Sequence, residues 1–392
     1  MNLRLKNWLL AGGCAWLLSA CALPEGGTLA ATPAAVPAAS VPAVPQKAEV
    51  APPAPVFHFT TVGDSRHDPR APGLTGQDRR WLQATQVLAR MTREMAAVRP
   101  QALVFNGDMI MGYTRDATQV EREYAYWRGM VAGLMEQGTY VLPVPGNHEV
   151  QVPTRLSNGR TEKLAQAWLE DAWRANMGDL ILDETRWSRL TGQPAQAWRP
   201  SHAPAPGSDG VSTPQQQLSY SFDVGSVHLA VINTDPVGFD SSAPVRWLRA
   251  DLAAARARGA RHFFVFGHKM AYVYEFQAGV AEREDGLNVR PALRDAFWDI
   301  IEDYGATYFC GHQHIYHASQ PRLAQGGRAW QVIVGSGGSP FAAWPGQSSK
   351  PFDRFYAWAD VKVYADDRVQ IQVLGFDEHF GPTQVLKTWD LH

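Results

Sequence analysis

The chain has 392 residues, of which 45% are hydrophobic, 11% aromatic and 19% charged, a composition that supports a sizeable buried core and is too apolar for a disordered chain. At about 150 residues per domain this length allows two or three domains, or one large one. Lys plus Arg number 36 and Asp plus Glu 38, a net charge of -2 with no long basic run, which excludes a delocalised nucleic-acid-binding groove.

Arg4 and Lys6 precede an apolar stretch from Trp8 to Leu18, and the chain then reads Leu18-Ser19-Ala20-Cys21. A basic start, a short apolar middle and small residues before a cut are the layout of a secretory signal peptide, here residues 1–20. The apolar stretch is shorter than the about 20 residues that cross a bilayer and is interrupted by Gly12 and Gly13. Leu-Ser-Ala-Cys resembles the bacterial lipoprotein signal, and the resemblance implies that Cys21 carries the lipid, that the protein is exported to the cell envelope, and that in a Gram-negative host Ala22 favours the outer membrane. Loss of residues 1–20 would leave Cys21 and Cys310 as the remaining cysteines, so no disulfide framework is expected. Residues 24–55 hold eight Pro and ten Ala; with little to form a core, residues 21–55 are read as a semi-rigid linker holding a domain over residues 56–392 off a membrane.

From Val56 the texture changes. Val56 to Val62 is a short β-rich run ending at Gly63-Asp64. The pattern recurs: Leu103-Val104-Phe105 runs into Asn106-Gly107-Asp108, Tyr140 to Val144 into Gly146-Asn147-His148-Glu149, His262 to Phe266 into Gly267-His268, and Thr307 to Cys310 into Gly311-His312-Gln313-His314. Helical spacing is expected over 77–98, 118–136, 162–176, 244–258 and 291–303. A second set of strands, 218–224, 227–233, 329–334, 357–363 and 369–374, reads as antiparallel, with Gly225-Ser226 as a hairpin turn. The fold class expected is α/β, a two-sheet β-sandwich flanked by helices.

The polar residues after the strands are Asp64, Asp108, Asn147, His148, His268, His312 and His314. They are oxygen and nitrogen ligands suited to Zn, Mn or Fe. In open α/β sheets ligands gather beyond the carboxyl ends of strands, so one shared site is the economical reading. These five ordered motifs resemble those of the calcineurin-like metallophosphoesterases, the tetrad Gly-Asn-His-Glu and the final Gly-His-x-His being the specific parts. The resemblance implies a four-layer fold and a dinuclear centre of two divalent metal ions (Mn, Fe or Zn). In it Asp108 bridges, one ion takes Asp64 and His314, and the other takes Asn147, His268 and His312. The implied reaction is hydrolysis of a phosphate mono- or diester, of a small molecule or a lipid headgroup, by a bridging hydroxide, with His148 as general acid.

The first motif departs from the common Asp-x-His pattern, since this chain has Asp64-Ser65-Arg66. Arginine cannot be deprotonated to ligate a metal, so one position is short of a protein ligand, to be filled by water or His67. Two bound ions, one firmly held ion and a degenerate site are all compatible with that departure. Arg66 reads as a bidentate grip on phosphate oxygens, against the plainer reading of a structural salt bridge. Tyr113 does not stand where another branch of the family has its Tyr, that place being Met111.

Of the rest, His58, His202, His228, His262, His379 and His392 lack any motif, and Cys310 reads as buried strand packing. Glu149 reads as an orienting group behind the ligands, and His317 could be another. The tryptophans at 168, 173, 187 and 198 read as packing rather than substrate stacking. Residues 199–216 read as a mobile loop and 270–288, with Tyr272, Tyr274 and Phe276, as a lid. The rival function is a metal- or phosphate-binding lipoprotein on the same fold without turnover. A serine nucleophile has no support, because no Gly-x-Ser-x-Gly elbow occurs.

Overall fold

The structure, a computed structural model, describes residues 53–70, 74–275, 286–343 and 351–391. The expected signal peptide at 1–20, Cys21, most of the expected linker, Phe276 with the middle of the expected lid (276–285), and His392 lie outside the described residues. Among the described residues no helix is long and apolar enough to cross a membrane.

In chain order the elements are β1 (Phe57–Val62), α1 (Gly76–Trp81), α2 (Thr85–Val98), β2 (Ala102–Phe105), α3 (Ala117–Glu136), β3 (Tyr140–Pro143), α4 (Asn147–Val150), β4 (Gln151–Arg155), β5 (Thr161–Ala165), α5 (Ala167–Met177), α6 (Glu184–Thr191), β6 (Tyr220–Val224), β7 (Val227–Val231), α7 (Val245–Ala257), β8 (His262–Phe266), α8 (Pro291–Tyr304), β9 (Thr307–Cys310), β10 (Tyr316–Ser319), β11 (Trp330–Val334), β12 (Phe355–Val363), β13 (Val369–Asp377) and β14 (Gln384–Leu391). They build two six-stranded sheets, ordered β14-β13-β12-β1-β2-β3 and β10-β11-β9-β8-β7-β6. In each, the central strands run parallel: β1 with β2 and β2 with β3, then β7 with β8, β8 with β9 and β9 with β11.

Period-two alternation explains how the sheets stack. Phe264, Phe266, Phe309, Val332 and Val334 face the first sheet, and the Phe59 ring packs edge-on against Phe264, Phe266 and Phe309 at 5.1, 5.7 and 6.0 Å. Their neighbours Phe263, Val265, Tyr308, Cys310 and Ile333 point the other way, into a second core with Leu248 and Leu252 of α7 and Phe297 and Ile301 of α8. On the far side of the first sheet, α2 and α3 bury Leu88, Met91, Tyr124 and Trp127, the last against Phe105. The outcome is the expected helix-flanked sandwich, and Trp173 and Trp187 belong to its core, with Trp168 and Trp198 packed against it.

Three expectations differ. The helix over 77–98 is broken, because Leu82 turns left-handed (φ 53°) to cap α1 and the Asp78 carboxylate accepts the Thr85 N–H (3.0 Å) to start the next helix. The helix over 162–176 begins only at Ala167; the preceding residues pair instead with β4, Val152 opposite Leu164, because the turn between Leu156 and Arg160, closed by the Leu156 N–H to the Arg160 carbonyl (2.8 Å), folds them back as a hairpin. The second strand set is not uniformly antiparallel, for β7 and β11 run parallel to β8 and β9 and carry that sheet's centre. The loop at 199–216 has no helix or strand but is tied down, Asp209 capping the N–H groups of Arg246 and Trp247 and Gln215 bonding Glu170.

Candidate metal centre

The parallel strands of both sheets end on the same side of the sandwich, and the polar groups follow them. Asp64 comes after β1, Asp108 after β2 and Asn147, His148 and Glu149 form α4 after β3; from the other sheet His268 comes after β8 and His312 and His314 after β9. Asp64, Asp108 and His312 all hold left-handed backbone, at φ 63°, 52° and 67°, a conformation that costs non-glycine residues energy and collects at functional sites. It swings each side chain back over its strand end. The preceding glycines make room. A Cβ on Gly107 would come within 2.6 Å of His268 Nδ1, and one on Gly311 within 2.1 Å of the Asp64 carboxylate.

The first donor set is compact. His268 donates from Nδ1 to the Asn106 carbonyl (2.8 Å), leaving a lone pair on Nε2, which lies 2.9 Å from Asn147 Oδ1, 3.1 Å from Asp108 Oδ1 and 3.2 Å from His312 Nδ1. His312 Nδ1 is itself 2.8 Å from Asn147 Oδ1. Asn147 turns its amide nitrogen to the Tyr113 hydroxyl, which fixes its oxygen toward the histidines. Burial pushes His268 down to about 4, so its ring is neutral. Nitrogen and oxygen donors converging on one point are what a cation needs, and imidazole with amide and carboxylate oxygen suits Mn, Fe or Zn.

The second set is differently occupied. The Asp64 carboxylate accepts the His312 N–H (3.0 and 3.2 Å) and lies 3.6 Å from His314 Nε2, while His314 donates from Nδ1 to the Pro340 carbonyl (2.7 Å). Between them reaches Arg66. Its Nη2 donates to His314 Nε2 (3.2 Å) and its Nε to Asp108 Oδ2 (3.4 Å). Burial and Arg66 push His314 down to about 3. Burial and the Asp108 charge hold Asp64 well above the usual carboxylate range, whereas Asp108, although burial works against it, is held below that range by His148, His268 and Arg66. His67 bonds the neighbouring Asp68 carbonyl (3.3 Å) and does not join the donors.

Around this core, Glu149 accepts the N–H groups of Gly146, Asp108, Met109 and Ile110 at 2.7 to 3.1 Å and so holds the Asp108 loop against α4. His148 donates from Nδ1 to the Met111 carbonyl and presents Nε2 3.7 Å from Asp108 Oδ2. The Tyr113 ring lies on it at 3.8 Å, with the Lys163 ammonium on that ring at 3.9 Å. Tyr113 and Lys163 were not among the sequence candidates; Tyr113 carries no motif signal, and Lys163 arrives only through the β4–β5 hairpin. His58, His202, His228 and His262 pair with Asp360, Asp251, Asp223 and Asp367 instead, as lone histidines without a motif should. Cys310 is buried in β9, and the His317 ring packs tilted against Tyr274, with centroids 4.5 Å apart.

A four-layer α/β sandwich with carboxylate, amide and imidazole groups gathered beyond its parallel strand ends is the architecture of the metallophosphoesterase fold. The chain belongs to the calcineurin-like phosphoesterase family, whose profile matches residues 67–316; Asp64 and Arg66 lie immediately ahead of that span. Among solved structures it is similar to a purple acid phosphatase from seeds of yellow lupin (Lupinus luteus), with a TM-score of 0.53 and 14% identity over 85% of this chain and 53% of that one. The likeness is one of fold, and the chain spans about half the length of the lupin protein. A dimetal phosphatase from Danio rerio superposes with a TM-score of 0.40 and 14% identity, over 86% of this chain and 99% of that one. No curated protein matches the chain.

Proposed function

We propose that this protein hydrolyses a phosphate ester, mono- or diester, of a small molecule or a lipid headgroup. The observation that carries the reading is the first donor set: Asn147 Oδ1, His268 Nε2, His312 Nδ1 and Asp108 Oδ1 converge, with neighbouring donor atoms 2.8 to 3.2 Å apart. These four residues would hold a divalent cation. The resemblance calls for a second on Asp64, Asp108 and His314, where this chain supplies three protein donors and the guanidinium of Arg66. Divalent cations, when bound, supply Lewis acidity at phosphorus and activate water for attack.

The chain's own residues supply the rest. Arg66 aims positive charge at the place where phosphoryl oxygens would sit, and Nη1 has no partner among the described residues. His148 is the general acid. Its Nδ1 proton is committed to Met111, so Nε2 must carry the proton given to the leaving oxygen. Without substrate, burial and Arg66 hold that ring below the ordinary imidazole range; an arriving phosphate dianion favours the charged form. Glu149 and Tyr113 position Asp108, Asn147 and His148 and touch no reacting atom.

The test is Mn²⁺-dependent hydrolysis of an aryl phosphate monoester and the matching diester by the full chain, with His148→Ala alongside. Metal-dependent turnover lost in the variant supports the reading. A folded, metal-loaded protein with no turnover on either ester favours a binding lipoprotein, for which the intrusion of Arg66 into the second donor set is the motivating observation.

For location, we propose export and lipidation at Cys21, with residues 21–55 as a tether to the envelope membrane. The support is the order basic start, apolar stretch, Leu18-Ser19-Ala20-Cys21, then Pro- and Ala-rich chain. Incorporation of labelled fatty acid that persists in Cys21→Ser would overturn it.

A further inference from the structure

We infer that Arg66 stands in for the second cation, so that the centre binds one divalent ion and completes its positive charge with a guanidinium. The inference rests on the hydrolase reading only in that the first donor set holds an ion. Two observations lead to it. The carboxylate common to both donor sets is divided: Asp108 Oδ1 faces His268 Nε2 at 3.1 Å, in the first donor set, while Oδ2 accepts from Arg66 Nε at 3.4 Å. The lone pair of His314 Nε2, left available because Nδ1 donates to Pro340, is taken by Arg66 Nη2 at 3.2 Å. Both groups that a second ion would share with Asp64 therefore accept from one guanidinium.

Charge and anchoring agree with the geometry. Asp108 is a carboxyl group with essentially no exposure, and a buried carboxylate requires nearby positive charge. Arg66 supplies one permanent charge that no change of pH or metal supply removes. Its side chain is only 11% exposed. Its backbone is fixed from three sides: the N–H donates to the Asp108 carbonyl (3.2 Å), the carbonyl accepts from Ser339 Oγ (2.8 Å), and the residue bridges to Gln83. Gln83, placed by the break between α1 and α2, accepts from Ser65 Oγ (3.2 Å) and donates to the Met109 carbonyl, tying the Arg66 loop to the Asp108 loop. The guanidinium is thus built into the site, and a divalent ion among Asp64, Asp108 and His314 would face it at close range with like charge.

The experiment counts ions on the full chain, independently of turnover. Mn²⁺ is titrated calorimetrically and measured by elemental analysis after desalting, for the natural protein, Arg66→His and Arg66→Lys. One equivalent is expected for the natural protein and for Arg66→Lys, which keeps the charge, and two for Arg66→His, which exchanges the charge for a ligand. Electron paramagnetic resonance should show an isolated Mn²⁺ spectrum in the first two and an exchange-coupled pair in the third. Two equivalents in the natural protein or in Arg66→Lys, or one in folded Arg66→His, overturn the inference. Should Arg66→His fail to fold, the count and spectrum of the natural protein decide alone, one isolated ion supporting the inference and a coupled pair overturning it. One bound ion without turnover upholds the inference while the hydrolase reading fails; two ions with turnover do the reverse.

Discussion

His268 Nε2 and Asn147 Oδ1 lie 2.9 Å apart with no hydrogen between them. The histidine has given its proton to Asn106 and the asparagine has turned its amide nitrogen to Tyr113. Two acceptors held face to face in a buried site are unfavourable unless a cation joins them. The contact joins the two sheets, since Asn147 follows β3 and His268 follows β8.

Asp108 is the residue common to both halves of the site, so Asp108→Ala is expected to abolish Mn²⁺ binding and hydrolysis together. Calorimetry and an aryl phosphate assay check this, with circular dichroism to confirm the fold. Retention of both would remove Asp108 from the centre.

His148→Ala should leave ion binding unchanged while lowering kcat by about 10² to 10⁴, the range for a positioned proton donor. Among the described residues it meets the donors through its backbone N–H, 3.2 Å from Asp108 Oδ1, and its ring, 3.7 Å from Asp108 Oδ2. Steady-state kinetics at saturating Mn²⁺ gives the answer. A leaving group that needs no proton, such as a nitrophenolate, should lose less rate than an alkoxide.

Glu149→Gln exchanges one accepting oxygen for an amide that repels the N–H groups it faces. Four backbone N–H groups converge on this carboxylate. Loss of about 1–3 kcal/mol of stability is expected from the unsatisfied donors, with about 10- to 100-fold weaker ion binding because the Asp108 loop loosens. Denaturant unfolding and calorimetry separate the two effects. Unchanged ion affinity would make Glu149 a purely structural group.

Away from the site, His228 bridges Asp223 (2.6 Å) and Asp251 (3.0 Å) with no exposed side-chain surface. Burial alone would lower its pKa, but the two bonds outweigh it and hold it above the ordinary value. That stabilisation is present below the unfolded value of about 6.5 and fades as pH rises through the higher folded one. Asp223 and Asp251, raised by burial, are nonetheless held down by His228 with Arg258 and His202 respectively; their share is present above about pH 3.9 and fades as pH falls. His228→Gln should therefore cost about 3–5 kcal/mol, most at about pH 5 to 6.5 and less in alkaline solution. Thermal unfolding across pH tests it, and a deficit that grows with pH would refute the ion-pair account.

The strand-end motifs were legible because each needs a glycine where the chain turns hard against a neighbour. Gly107 and Gly311 sit where a Cβ would strike His268 and Asp64. Those turns, and the apolar runs before them, are local and leave their mark on composition and order. The helix breaks were not legible. Residues 77–98 and 162–176 carry helical spacing throughout, and what interrupts them is tertiary: Gln83 is drawn into the Arg66 and Asp108 loops, and Leu164 pairs with Val152 across a hairpin. Nor could strand direction be read, because β7 and β11 have the same pattern whether their partner runs with or against them.

By itself the sequence determined the sandwich of alternating strands and helices, the six metal-donor candidates and the order in which they follow the strands, because hydrophobic period and glycine placement are properties of the chain. The tertiary structure decided which donor atoms meet, that Tyr113 and Lys163 flank His148, and that Arg66 lies between Asp108 and His314. Those relations depend on left-handed backbone at Asp64, Asp108 and His312 and on the registry of two sheets, which distances along a chain do not encode.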